Sequence, residues 1–298
     1  VKALVTGIAG FTGRYAVDAL KARGLEVVGI THRPVVAHGA DRVHVADIAD
    51  AEAVTKIVAA ERPHYVLHLA AISFVLHGDV AEIYRTNIMG TRNLLGAFAQ
   101  CAHLPKNILL ASSSNVYGNR SGGLLREGMP PDPVNDYSVS KVATEMVASM
   151  FVQQLPIVTA RPFNYTGIGQ SRDFLIPKIV DHVRAGAGAI KLGNLDVARD
   201  FSDVRFVVEA YCRLLEGDSA IGKTVNVSSG RAYSLSEILS IVADITGRTL
   251  DVEVDPALIR ENEIKQLWGD SSLLDSLVGP LCRIPLADTL RWMLSGSR

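Results

Sequence analysis

The sequence predicts an α/β protein with a doubly wound parallel sheet and a smaller C-terminal α/β lobe that would hold substrate. Three observations carry this expectation. Short β-branched runs alternate with segments of helical period through the first half of the chain, the first run leads directly into a glycine-rich turn and a helix, and the alternation loosens after Arg161. Alternating βα units pair as a parallel sheet covered on both faces, with ligands beyond the carboxyl ends of the strands. The predicted division gives residues 1–163 and about 195–228 to the large domain, and about 164–194 and 229–298 to the lobe.

Taken in order, Lys2–Thr6 is a strand and Arg14–Arg23 the helix after its glycine turn; Glu26–Ile30 is the second strand, followed by a short run at Arg42–Ala46 and a helix over Ala51–Ala60. Tyr65–Leu69 precedes a long helical pattern, Val80–Cys101; Asn107–Ala111 precedes a serine-rich turn and a helix over Ser138–Gln154; Ile157–Ala160 closes the series. The Gly, Asn, Ser and Asp residues of FNYTGIGQSRDF read as a loop. Beyond it come a helix over Leu175–Ala185, a strand near Ile190–Leu192, a helix over Val204–Leu215 and a strand at Thr224–Val227. A last helix is opened by Ser234 with Ser236 and Glu237 and runs to about Thr246.

At 298 residues and 48% hydrophobic, the chain buries a large core, which excludes disorder. Thirty basic against 31 acidic residues, with no run of one sign, provide no field to gather nucleic acid or an anionic membrane, so any anion must be bound by a few placed groups. Cys101, Cys212 and Cys282 are odd in number and far apart, which argues for core packing rather than disulfides or a metal site. LVTGIAGF is too short and glycine-rich for a signal peptide or membrane span, so a cytoplasmic protein is expected.

In Thr6-Gly7-Ile8-Ala9-Gly10-Phe11-Thr12-Gly13, Gly7 permits the tight turn, Gly10 lets backbone approach a pyrophosphate, and Gly13 lets the helix pack on the strand; the helix N-terminus supplies amide hydrogens. This is a dinucleotide-binding Rossmann signature, and Phe11 and Thr12 belong to it. Where NAD enzymes carry an acidic residue after the second strand, this chain has Thr31-His32-Arg33. A guanidinium there suits a 2′-phosphate, which favours NADP(H), with NAD(H) the alternative if Arg33 is a solvated loop charge. Asp47 and Ile48 are expected at the adenine, or Asp47 as a helix N-cap. The small residues of Leu69-Ala70-Ala71 leave room for cofactor ribose, and His68 reads as a packed, hydrogen-bonded histidine.

Tyr137 and Lys141, four apart at the start of a helix, project from one face. An ammonium and a cationic nicotinamide would lower the phenol pKa, which is about 10 when free. The Ser112-Ser113-Ser114-Asn115-Val116-Tyr117-Gly118 turn follows a strand, where one hydroxyl can hydrogen-bond the substrate oxygen that exchanges a proton with Tyr137; the others read as a polar turn.

TGIAGFTG, HLAA, SSSNVYG and YSVSK, in this order, resemble the extended short-chain dehydrogenase/reductase family of nucleotide-sugar enzymes over essentially the whole chain. The resemblance selects Ser113 as the catalytic serine beside Tyr137 and Lys141, assigns Asn87 and Pro162 to the cofactor side, and implies a homodimer through the two long helices. Phe163-Asn164, GIGQS, GNLDVARDFSDV and IRENEIKQLWGD are similar to the family's GDP-4-keto-6-deoxy-mannose reductases and GDP-mannose 4,6-dehydratases. That similarity turns Ser114, Asn115, Asn164, Lys178, Arg199, Arg260 and Glu263 toward a GDP-linked sugar; the alternative for each charge, Lys178 above all, is a helix-surface residue.

The dehydratases place a glutamate two residues after the catalytic hydroxyl; here that residue is Asn115, whose amide cannot exchange the proton that elimination requires. The expected reaction is therefore NAD(P)H-dependent reduction of the C4 ketone of GDP-4-keto-6-deoxy-D-mannose to GDP-D-rhamnose or its C4 epimer. A 4-epimerase with retained NAD and a non-catalytic NADP-sensing module are the rival readings, and no metal is expected.

Overall fold

The computed structural model describes residues 1–34, 39–73, 78–118, 122–256 and 264–296. The elements run β1 (Lys2–Thr6), α1 (Phe11–Ala22), β2 (Glu26–Thr31), β3 (Arg42–Val45), α2 (Ala51–Glu61), β4 (Tyr65–His68), α3 (Val80–Tyr84), α4 (Gly90–Ala99), β5 (Asn107–Ala111), β6 (Gly123–Leu125) and α5 (Asp136–Ser149). They continue with β7 (Ile157–Pro162), β8 (Asn164–Thr166), α6 (Leu175–Arg184), β9 (Ala189–Leu192), β10 (Ala198–Asp203), α7 (Val204–Glu216), β11 (Thr224–Val227), β12 (Ala232–Ser234), α8 (Leu235–Thr246), β13 (Asp251–Val254), β14 (Gln266–Gly269), α9 (Ser272–Val278) and α10 (Leu286–Ser295).

Seven strands form one parallel sheet in the order β11-β7-β5-β4-β1-β2-β3. The chain fills one side of β1 with β2 and β3, then returns and fills the other, so the crevice at the carboxyl ends of β1 and β4 is the topological switch point. Period-two alternation splits the core cleanly: Ala3, Val5, Leu67 and Leu109 face α1 and α7, while Leu4, Val66, Ile108 and Leu110 face α2, α4 and α5.

A second sheet runs β12-β10-β14-β6 with β8 beside β10, and β9 pairs with β13. β10 therefore pairs outside the seven-stranded sheet, although its residues fall within the span the sequence pattern gave to the large domain. The FNYTGIGQSRDF segment is not loop throughout, because Asn164–Thr166 pairs in register with Phe201–Asp203. A separate apolar cluster, including Ile176, Ile179, Val183, Leu235, Ile238 and Leu290, packs α6, α8 and α10 together.

Two helices differ from expectation for local reasons. The predicted helix Val80–Cys101 is α3 and α4 joined by a π-helical turn at Arg85–Met89, and it stops at Ala99. α5 begins two residues before the predicted Ser138 because Asn135 and Ser138 close a capping box, and it ends at Ser149. Cys212 is buried, but Cys282 is exposed in the irregular stretch after α9, which corrects the expectation that all three cysteines pack in the core. Among the described residues no helix is long and apolar enough to cross a membrane, and no group of three or more His, Cys, Asp and Glu residues could hold a metal ion.

Candidate active site

The glycine turn at the end of β1 is built by close backbone contacts. Gly7 adopts φ +70°, and a Cβ there would sit 2.8 Å from the Ala70 nitrogen, so the loops after β1 and β4 touch across the switch point. A Cβ on Gly13 would lie 2.5 Å from the carbonyl oxygens of both Gly7 and Ile8. At Gly10 it would meet only the Gly7 oxygen, at 3.1 Å, leaving the outer face of the turn open. α1 starts from Gly10 with no side-chain cap and no acidic residue in its first turn, so its amide hydrogens suit a pyrophosphate. Phe11 stacks on Tyr165 with ring centroids 6.0 Å apart, and Thr12 Oγ1 lies 2.8 Å from the Tyr165 hydroxyl.

A polarised chain holds the neighbouring loop. Ala70 N donates to Thr6 Oγ1 at 3.1 Å, Thr6 Oγ1 lies 2.6 Å from His68 Nδ1, His68 Nε2 lies 2.9 Å from Thr91 Oγ1, and Thr91 donates to the Asn87 carbonyl at 2.7 Å. Because the Thr91 hydrogen is directed to Asn87, Thr91 accepts from Nε2–H and Thr6 donates to Nδ1, which fixes the neutral tautomer. Burial pushes the His68 pKa down to about 3. The Asn87 side chain, presented by the π-helical turn, bonds both backbone groups of Ile72 and the Ser140 hydroxyl, fixing the segment after Leu69-Ala70-Ala71 to α5.

At the adenosine end, His32 and Arg33 are exposed just past β2. Asp47 accepts from Ala49 N at 2.9 Å and from Arg85 Nη2 at 2.5 Å, and its carboxyl is held below the usual range against the opposing effect of burial. Asp47 is not the N-cap of α2: Asp50 is, accepting from Glu52 N and Ala53 N. The expectation that Ile48 packs on a ring is also corrected, since its side chain is 5% exposed and turns into the core against Gly90. The sequence reading missed Arg85, which tertiary folding alone brings to Asp47.

Ser113, Tyr137 and Lys141 converge where β5 ends against α5, and all three are buried. Lys141 Nζ donates to the Ala111 carbonyl at 2.8 Å and lies 5.9 Å from the Tyr137 ring centroid. Burial pushes the Tyr137 hydroxyl up to about 12, with a hydrogen bond to Ser113 acting the other way. The expected lowering by Lys141 is therefore not a property of the ligand-free chain. Burial draws Lys141 itself down to about 8, opposed by Glu145. Ser114 opens a 3₁₀ turn, Asn115 is exposed within it, and Pro162 ends β7 beside them.

In the second sheet, Asn164 donates to the Asp200 carbonyl at 3.2 Å. Arg199, on the adjacent strand, lines a cleft with Leu175, Leu192, Val197 and Tyr233. Lys178 is not in that cleft. Its ammonium donates to the Lys191 carbonyl at 2.7 Å in a separate groove with His182 and Glu253, because its turn of α6 faces β9. Arg260 and Glu263 lie outside the described residues.

A family model described as GDP-mannose 4,6 dehydratase matches residues 4–280. The chain belongs to this family. As a GDP-mannose 4,6-dehydratase-family member it is an extended short-chain dehydrogenase/reductase and an NAD(P)-dependent oxidoreductase. It is 31% identical to GDP-6-deoxy-D-talose 4-dehydrogenase of Aggregatibacter actinomycetemcomitans, over 94% of this chain and 92% of the relative. It is 32% identical to GDP-6-deoxy-D-mannose reductase of Pseudomonas aeruginosa, over 98% and 95%. The structure of RMD from Pseudomonas aeruginosa complexed with NADPH superposes with a TM-score of 0.85 at 30% identity, covering 99% of this chain and 96% of that one. The open Gly10 turn, the uncapped α1 and the Ser113–Tyr137–Lys141 cluster fit such a cofactor.

Proposed function

We propose that the protein reduces the C4 ketone of GDP-4-keto-6-deoxy-D-mannose to GDP-D-rhamnose or its C4 epimer, with NADPH favoured over NADH. When bound, the nicotinamide supplies hydride to the carbonyl carbon. Ser113 donates a hydrogen bond to the ketone oxygen, and Tyr137, neutral because burial holds its hydroxyl at about 12, gives that oxygen its proton. Lys141 holds the nicotinamide ribose, and its charge favours proton release from Tyr137. Residues of the 164–194 and 229–298 lobe, among them Asn164, take the nucleotide together with Arg199 of β10, while Gly7, Gly10, Gly13 and the first turn of α1 take the cofactor pyrophosphate.

Asn115 carries the choice of ketone reduction. It stands two residues past Ser113, exposed in the turn, and offers an amide where elimination would require an exchangeable proton. Incubation with NADPH and GDP-4-keto-6-deoxy-D-mannose should consume the reduced cofactor, read at its absorbance. No oxidation with any GDP-linked 4-keto sugar would overturn the proposal, and purified protein carrying oxidised cofactor and interconverting C4 epimers without net redox change would be a 4-epimerase. The proposed homodimer would cover Met89, Val139, Met146 and Met150, large apolar side chains at the two long helical segments that are 39–62% exposed. Light scattering on the purified protein should report a dimer.

A further inference from the structure

Residues 111–113 at the end of β5 meet three residues spaced four apart on one face of α5. Lys141 donates to the Ala111 carbonyl at 2.8 Å, the Ser112 hydroxyl donates to Glu145 Oε1 at 2.5 Å, and Tyr137 bonds Ser113. The Glu145 carboxylate also takes a forked ion pair from Arg161, with Nε to Oε1 at 2.9 Å and Nη2 to Oε2 at 2.7 Å. Their side chains are 16% and 8% exposed. Arg161 directly precedes Pro162, and its guanidinium lies 4.9 Å from the centroid of the Tyr117 ring, whose hydroxyl donates to Asn226 at 2.7 Å. One partly buried carboxylate therefore joins the strand end bearing Ser113, the helix bearing Tyr137 and Lys141, and the end of β7.

We propose that Glu145 is a positioning residue that holds Ser113 in register with Tyr137 through Ser112 and supplies the countercharge to Lys141. The inference rests on the catalytic reading of Ser113, Tyr137 and Lys141, and not on which sugar is reduced. Among the described residues, no other group facing Lys141 substitutes for Glu145. Tyr137 on the same helix and His68 from β4 are neutral, with pKa values displaced by burial to about 12 and about 3. Arg161 from β7 is a cation, and Glu127 beside it is engaged by the Asn226 amide. On the helix segments packed against α5, Tyr84 bonds Asp136, Arg85 pairs with Asp47, and Arg92 lies over Phe151.

The test compares Glu145→Gln and Ser112→Ala with the wild type, by fluorescence titration of NADPH onto the cofactor-free protein across about pH 6–10 and by kcat and KM. Glu145→Gln removes the countercharge, so Lys141 loses its proton earlier and the alkaline fall in NADPH affinity moves about one unit to lower pH. Ser112→Ala keeps the Glu145–Arg161 pair, so it leaves that fall in place and lowers kcat by about ten- to a hundredfold at unchanged NADPH affinity. Wild-type pH dependence and kcat in both variants, with only a lower melting temperature, would overturn the proposal. If Glu145→Gln does not fold, Ser112→Ala decides alone, and wild-type kcat there overturns it. A wild type that reduces no GDP-linked keto sugar sinks the substrate reading instead, and the pH dependence of NADPH binding still tests Glu145.

Discussion

Replacing Gly13 with Ala puts a methyl group 2.5 Å from two backbone oxygens, those of Gly7 and Ile8, and 2.7 Å from the Ile8 carbonyl carbon. Neither oxygen belongs to a side chain that can rotate away. Restoring an ordinary carbon–oxygen contact requires the start of α1 to move off the turn by about 0.7–0.9 Å. The helix resists, because Tyr15, Ala16, Val17 and Leu20 are packed in the core shared with α7. An overpacked contact of this kind costs about 1–3 kcal/mol. It also displaces the amide hydrogens of the first helical turn from the pyrophosphate they would bind. Gly13→Ala should therefore lower stability in urea denaturation by about 1–3 kcal/mol and weaken NADPH binding by tenfold or more. Gly10→Ala is the matched control: its methyl meets a single oxygen at 3.1 Å, so it should weaken cofactor binding while changing stability by less than about 0.5 kcal/mol. If Gly13→Ala bound NADPH with wild-type affinity and unfolded at the wild-type urea concentration, the assignment of Gly13 to helix–strand packing beneath the cofactor would be wrong.

At the opposite end of the sheet, Glu61 is buried and bonded to Lys2, Arg42 and His44, which hold its pKa down to about 2. A depressed carboxylate stabilises the fold above its unfolded value, so on the order of 2–3 kcal/mol should disappear as pH falls from about 4.5 toward 2; this acid limb should be absent from Glu61→Gln in pH-dependent denaturation. His68, neutral and bonded at both ring nitrogens, should contribute no inflection near pH 6.5 to activity, and His68→Ala should lose about 2–5 kcal/mol by leaving Thr6 and Thr91 without their buried partner. Arg33→Ser should weaken NADPH binding about tenfold or more and leave NADH binding unchanged, and equal loss for both cofactors in parallel titrations would remove Arg33 from the 2′-phosphate.

Most of the parallel sheet was legible because its inner strands are buried on both faces and rich in apolar residues; Thr224–Val227 and Asn107–Ala111 fall where the pattern places them. Strands β6, β8, β12 and β14 were not legible. Each has only three or four residues, and partners found far along the chain, such as Gly269 against Leu125, define them as strands. α10 is different: its Leu286, Leu290 and Met293 carry a helical period that a closer reading would have found.

The sequence by itself determined the order of βα units, the glycine turn, the four-residue spacing of Tyr137 and Lys141, and the absence of a glutamate at position 115, because each is written in local spacing or residue type; the choice of Ser113 among three serines came from the family resemblance. Glu145 was half visible, four residues past Lys141 on the same helical face, but nothing in the sequence joined it to Ser112 or Arg161. Tertiary structure decided that pairing, as it decided that Asp47 meets Arg85, that Tyr165 stacks on Phe11 and that Lys178 turns away to β9. The physical reason is common to all of them. A strand or helix pattern reports which face of an element is buried, whereas the partner of a buried charge is fixed only when separate elements close upon it, and the cost of leaving that charge unpaired makes the choice of partner strict.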